Sequence, residues 1–236
     1  LYKLKKKINI DHDNTDNSSL DKLFYHYGSD KSNIFKYTKE QGHGFSKYYQ
    51  QHLDHLKHKE IKILEIGSYA GASASAFSKY FINSKIYCFD VNISKFIYNS
   101  KSIEVFGLDI KNEKKVIKII DQIFVNKDDK YFDIIIDDGS HNLSDILIAL
   151  KILFKCLDRG GIYIIEDYKY PNYYRYNKDV DDILIDKMLH KLKDKKKFSS
   201  KILIEKDQQY LINNITSINE HIGNSNSSNI CFIKKK

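Results

Sequence analysis

Arginine is nearly missing from this chain: only Arg159 and Arg175 are present, although lysine is abundant and the net charge is +8. Arginine is the preferred residue for bidentate contacts to phosphates and base edges, so the charge alone is a poor argument for nucleic-acid binding. The lysines are scattered, with short clusters at Lys5–Lys7, Lys193–Lys197 and Lys234–Lys236. An anionic small substrate stays open. Cysteine is sparse too. Cys88, Cys156 and Cys231 lie far apart in apolar runs ("IYCFD", "LFKCL", "NICFI"), and no CxxC pair exists. They read as buried small hydrophobes in a reducing compartment. No apolar run approaches the roughly 20 residues of a membrane helix. The basic start "LYKLKKKINIDHDN" lacks the apolar stretch of a signal peptide, so a cytoplasmic protein is the expectation. There is no internal repeat and no Gly/Ser linker.

The 236 residues suffice for an α/β domain with a sizeable core. Residues 1–17 are polar and read as frayed. Residues 18–58 read as a helical cap, interrupted by "YGSDKSNIFKYTKEQGHGFS", and a main α/β domain of 59–236 follows. From Glu60 strands and helices alternate: strands at 61–66, 85–90, 102–109, 131–137 and 160–167, with helices at 71–81, 94–100, 112–124 and 143–157 between them. "QQYLINNITSINEHI" and "SNICFIKKK" read as two late strands around the turn "GNSNSS". The expected fold is Rossmann-like and doubly wound: a mostly parallel seven-stranded sheet with an antiparallel C-terminal hairpin and an N-terminal helical cap. Right-handed crossovers put the strand C-termini on one ligand-binding edge. Glu65, Asp90, Asp109, Asp137, Asp138, Glu166 and Asp167 all stand at or just after such an end. Acids also cap helices, but capping does not account for so many.

The first strand runs into "LEIGSYAGAS", a Glu65-x-Gly67-x-x-x-Gly71 pattern. Gly67 permits a tight turn, and Gly71 a close approach of backbone to ligand. Tyr69 occupies the place where a dinucleotide fingerprint needs glycine, which disfavours an NAD-dependent oxidoreductase. No GK[ST] follows, so it is not a P-loop. Asp90, ending the second strand, can accept hydrogen bonds from two ribose hydroxyls. A ligand with a ribose and no pyrophosphate fits both facts. These motifs resemble those of the class I S-adenosylmethionine (SAM) dependent methyltransferases, over about residues 20–235. The resemblance implies that Glu65, Gly67 and Gly71 flank the methionine part of the cofactor, that Asp90 holds the ribose, that Asp109 lies near the adenine, and that Asp137 faces the cofactor.

"IIIDDGSHN" and "YIIEDY" resemble one branch more closely: the metal-dependent sugar O-methyltransferases that methylate macrolide sugars, with relatives in surface-polysaccharide (capsule) gene clusters. "YGSDKS" is similar to that branch's N-terminal segment, with Ser29 in place of threonine. The resemblance implies that Asp138, Glu166 and Asp167 bind Mg2+ and that His141 is the general base. The chemistry agrees. A sugar hydroxyl is a weak nucleophile; a cation on its oxygen stabilises the alkoxide, and an adjacent imidazole takes the proton. Hard carboxylate ligands suit Mg2+ better than Zn2+. Blander alternatives are that His141 caps the following helix, that Asp138 braces the turn at Gly139, and that Glu166–Asp167 is a solvated strand end. Tyr48 and Tyr49 read as packing residues, and His43 as a loop histidine or a closing group. "YKYPNYYRYN" is suited to stacking on a sugar ring, with Arg175 placed to meet a phosphate.

The leading expectation is thus a Mg2+- and SAM-dependent O-methyltransferase acting on a sugar, nucleotide-linked or phosphorylated, for a surface polysaccharide. Competing expectations are a methyltransferase for RNA or another small molecule, and a non-catalytic SAM-binding protein. The proline-proline motif common in amino-group methylation of bases is absent, since Pro171 is the only proline. No membrane partner is expected; the N-terminal helices offer a surface for a homodimer.

Overall fold

The computed structural model describes residues 7–15, 18–124 and 131–236; Lys5 and Lys6 of the first basic cluster lie outside them. The chain divides into two compact units, Leu1–Gly107 and Leu108–Lys236.

The first unit contains, in chain order, β1 (Ile8–Asn9), α1 (Leu20–Tyr27), α2 (Ser46–Leu53), β2 (Ile61–Ile66), α3 (Ala72–Tyr80), β3 (Ser84–Asp90), β4 (Tyr98–Asn99) and β5 (Ile103–Gly107). β2, β3 and β5 are parallel in the order β5-β3-β2, with Ile63 paired to Ile86 and Ile86 to Ile103. Their near-continuous apolar runs suit strands covered on both faces. Helix α1 buries Leu20, Leu23, Phe24 and Tyr27, the i, i+3, i+4, i+7 stripe of an amphipathic helix. Phe24 meets Phe77 of α3 edge-on at 5.3 Å between centroids, and Tyr49 of α2 at 6.1 Å. Ser19 caps α1, accepting from the Lys22 N–H, and Gly28 (φ +82°) ends it with its N–H on the Phe24 and Tyr25 carbonyls. Each fully buried aromatic here contributes on the order of 1.5–3 kcal/mol as an upper estimate.

The interrupting segment after α1 is a knitted loop. Backbone N–H groups of Gly42, His43, Gly44 and Phe45 donate to the carbonyls of Asn33, Asp30, Ser32 and Lys31. A Cβ on Gly42 would lie 2.2 Å from the Ser32 carbonyl oxygen, so only glycine fits there. Two expectations are corrected in this unit. Residues 94–100 are a single 3-10 turn at Ile93–Lys95 followed by β4, not a helix, and residues 8–10 are not frayed. The cause is shared: β1 pairs in parallel with β4, and Ile10 becomes fully buried. Two isoleucines, Ile8 and Ile10, in an otherwise polar stretch are too few for a periodic signal.

The second unit contains α4 (Glu113–Ile123), β6 (Phe132–Asp137), α5 (Leu143–Leu153), β7 (Leu157–Glu166), α6 (Tyr170–Tyr173), α7 (Ile185–Lys193), α8 (Glu205–Asn214), β8 (Ile215–Ile222) and β9 (Asn229–Lys235). The strands run β6-β7-β9-β8; β6 and β7 are parallel, and β9 is antiparallel to both neighbours. The expected seven-stranded, mostly parallel sheet with its antiparallel C-terminal hairpin is therefore present. The hairpin closes where the Gly223 N–H donates to Ser228 O. "QQYLINN" is a correction: it is the body of helix α8, not strand, because Gln208 and Leu211 recur on one buried side. Helix α7, not anticipated, buries Ile185, Met188, Leu189 and Leu192 at helical spacing. Cys88 and Cys231 are fully buried and Cys156 partly so, and burial pushes all three thiols up. Among the described residues no helix is long and apolar enough to cross a membrane.

Candidate active site

In the first unit the glycine turn follows β2. Gly67 (φ +81°) and Gly71 (φ +80°) both sit in the left-handed region, and Tyr69 between them has φ +43°. A Cβ on Gly71 would fall 2.4 Å from the Phe96 ring. Asp90, ending β3, clasps this turn. Its Oδ2 accepts from the Tyr69 N–H at 2.8 Å, and its Oδ1 from the Asn92 N–H at 2.7 Å. Each carboxylate oxygen keeps a further lone pair for a ligand hydroxyl. Glu65 is fully buried, and Ser73, in the first turn of α3, donates its hydroxyl to Oε1 at 2.5 Å. Sequence reasoning passed over Ser73; the signal was available, since a carboxylate buried in a strand needs donors and a serine eight residues on can reach it. Tyr49 is fully buried against Phe24 and Phe77, the packing role expected of it. His43 packs on Phe45 at 5.1 Å, with its Nε2 3.9 Å from Asp30.

The second unit carries the remaining candidates, all but Asp109 around the ends of β6 and β7. Asp137 pairs with Ile165 across the parallel strands, so Asp138 and Glu166 leave the sheet side by side. Asp137 is 4% exposed, and its Oδ2 has no hydrogen-bond partner among the described residues. Burial pushes its carboxyl up to about 8; the Gly139 N–H opposes this, and the charges of Asp138 and Asp145 add to it. His141 has φ +56°, uncommon for a residue with a side chain. Its Nε2 lies 3.8 Å from Asp138 Oδ1, and its ring 4.8 Å from that of Tyr170. It does not cap α5. Asn142 is the first boundary residue, and the helix's Ser144 N–H and hydroxyl both donate to Asp179 from a distant loop. Nor is Glu166–Asp167 a solvated strand end: the two are 1% and 2% exposed. Asp167 has φ +48° and exchanges backbone and side-chain bonds with Asn229, at 2.6 Å from its own N–H and 3.3 Å to its Oδ1. Asp109 is exposed in the turn after β5, where its Oδ1 accepts from the Lys111 N–H at 2.9 Å.

No family model matches the chain. Curated relatives do. One is the 8-demethyl-8-alpha-L-rhamnosyl tetracenomycin-C 2'-O-methyltransferase of Streptomyces olivaceus, 27% identical over 66% of this chain and 39% of that protein. A second from the same organism, the 3'-O-methyltransferase acting on the 2-methoxy-rhamnosyl form, is 30% identical over 63% of this chain and 36% of its own length. The mycinamicin VI 2''-O-methyltransferase of Micromonospora griseorubida is 27% identical over 53% and 31%. The chain thus spans about a third of the length of these relatives. Among solved structures, the MycE methyltransferase of the mycinamycin pathway, in complex with Mg, SAH and mycinamycin VI, matches with a TM-score of 0.70. The identity is 22%, over 92% of this chain and 54% of that one. The fold is that of a class I methyltransferase. The resemblance to sugar O-methyltransferases read from the motifs is borne out by these relatives. Their named acceptors are sugars on polyketide products, so the polysaccharide setting gains no support from them.

The residues of this methyltransferase fold can be tested against the groups the fold implies. The unpartnered, buried Oδ2 of Asp137 fits a cationic ligand group such as an ammonium. For a divalent cation, the chemistry of Asp138, Glu166 and Asp167 fits: hard oxygen donors, two of them adjacent and buried, whose mutual repulsion a cation relieves. Their arrangement is not yet a closed shell. Among the described residues no group of three or more His, Cys, Asp or Glu side chains is gathered closely enough to hold an ion.

Proposed function

We propose that this chain transfers a methyl group from SAM to a hydroxyl of a sugar, with a divalent cation, Mg2+ by its ligand chemistry. The observation that carries the reading is the turn after β6, where a histidine in a left-handed conformation stands beside Asp138 at the end of a methyltransferase sheet. Relatives that are sugar O-methyltransferases support the same reading.

In this reading the bound cofactor would supply an electrophilic methyl group, and Asp138, Glu166 and Asp167 would hold a cation whose charge would lower the pKa of an acceptor hydroxyl. The protein's part is alignment and proton transfer. Asp90 holds the ribose while its backbone bonds fix the glycine turn. Glu65, Gly67 and Gly71 border the methionine part, Asp109 the adenine, and Asp137 meets the ammonium, whose charge favours the ionised carboxylate that burial otherwise disfavours. His141 Nε2 takes the acceptor proton, and Asp138 beside it stabilises the imidazolium that results.

The test is calorimetric titration of S-adenosylhomocysteine into the protein, with Mg2+ and again with EDTA. Micromolar binding is expected; no binding under either condition overturns the cofactor assignment. Methyl transfer from labelled SAM to sugar acceptors that is insensitive to EDTA overturns the metal assignment.

A further inference from the structure

The segment after β7 spends its tyrosines in an unusual way. Tyr170, Tyr174 and Tyr176 form a ladder that starts at His141: successive centroid distances are 4.8 Å from His141 to Tyr170, 5.0 Å to Tyr174 and 5.6 Å to Tyr176. The rings become more exposed outward; Tyr174 is 37% and Tyr176 73% exposed, and these last two are tilted by only 31°. Exposed aromatic rings in a row have an apolar cost in water that packing alone does not explain. Mobility does not explain them either, because the segment is pinned at both ends. Before it, Tyr168 donates to Glu220 at 2.6 Å, and the Lys169 N–H donates to Asn229 Oδ1 at 3.0 Å. After it, the buried Asn177 donates from Nδ2 to Ser140 O at 3.1 Å and to Asn142 Oδ1 at 3.2 Å. Ser140 and Asn142 flank His141, so the far end of the ladder is tied to the turn that carries the proposed base.

We propose that Tyr170, Tyr174 and Tyr176 are the acceptor platform: the reacting sugar lies nearest His141, and a second ring of the same glycoside stacks farther out on Tyr174 and Tyr176. This deepens the reading above and rests on it for the role of His141. A sugar presents C–H faces that match an aromatic plane, and hydroxyls that match tyrosine O–H groups, which is why rigid tyrosines suit this ligand. The steps of the ladder are each about one ring across, and the outer steps lie beyond the reach of a single sugar at His141. The platform therefore selects a glycoside, a sugar joined to a further ring, over a free monosaccharide.

Saturation-transfer NMR tests this with a panel of common hexoses and 6-deoxyhexoses, each as the methyl and the p-nitrophenyl glycoside, on the full chain. The p-nitrophenyl forms are expected to receive saturation more strongly. Tyr174→Ala and Tyr176→Ala should each weaken them about five- to tenfold, while Tyr174→Phe and Tyr176→Phe retain binding. Three outcomes overturn the platform: no panel member receives saturation, the alanine variants change nothing, or their only effect is to dissociate an oligomer in sedimentation. A wild-type protein that stacks glycosides without binding S-adenosylhomocysteine would instead overturn the methyltransferase reading and leave the platform standing.

Discussion

The turn after β2 and the turn after β6 do similar topological work with opposite means. The first meets its left-handed backbone at Gly67 and Gly71 with glycine and ties its carboxylate, Asp90, to two backbone N–H groups. The second places histidine in that conformation, and Asp167 after β7 repeats the choice. Glycine is the low-cost solution wherever only the chain path matters. A side chain kept at positive φ costs about 1–2 kcal/mol and persists where the side chain itself is needed. The first turn is chiefly a shape, with the exposed Tyr69 its one side chain kept at positive φ, and in the proposed reading the second presents chemistry at His141.

The sharpest way to break this contrast is His141→Gly. Relief of the left-handed strain should raise stability by about 1 kcal/mol in urea denaturation, while methyl transfer falls by roughly 10²-fold or more and S-adenosylhomocysteine still binds. Retained turnover would assign the strain to something other than a base. The mirror experiment is Gly71→Ala, which adds a Cβ against Phe96 at an unsuitable φ. A loss of roughly 2–4 kcal/mol is expected; a neutral result in the melting curve would mean the turn is not a fixed shape. Asp90→Asn leaves one of two backbone N–H groups facing an amide donor. Binding of S-adenosylhomocysteine should weaken about tenfold, equivalent to about 1.4 kcal/mol, with unchanged affinity counting against the clasp. The smallest effect is expected from Tyr168→Phe. It removes the hydrogen bond to Glu220 at the near end of the tyrosine segment and should cost about 1 kcal/mol, read by calorimetry.

The strands were legible because apolar runs such as "IKILEI" and "FDIIID" leave little choice: they are buried on both faces, and their boundaries fall within a residue or so of those observed. What was not legible depended on distant partners. β4 exists because two residues near the N-terminus pair with it. Helix α8 was hidden by Ile and Tyr, residues that strands also favour. Helix α7 carries a stripe at helical spacing, Ile185, Met188, Leu189 and Leu192, within a lysine- and aspartate-rich stretch. The candidate site follows the same division. Glu65, Asp90, Asp137 and Asp138 are marked by standing at or just after strand ends, and His141 by following in the turn after β6. Asn177 and Asp179 act on the His141 turn and on α5 from distant segments, and no local pattern marks them, whereas Ser73 stands only eight residues from the buried Glu65 it serves.

The two anchors of the tyrosine segment separate its middle from its ends. A span fixed at Lys169 by Asn229 and at Asn177 by the His141 turn can change its middle without disturbing either end. Residues 170–176 are then an exchangeable cassette. If Tyr170, Tyr174 and Tyr176 form the proposed platform, a different acceptor can be accommodated by rewriting this one short surface stretch, with the hydrogen bonds at both of its ends left in place.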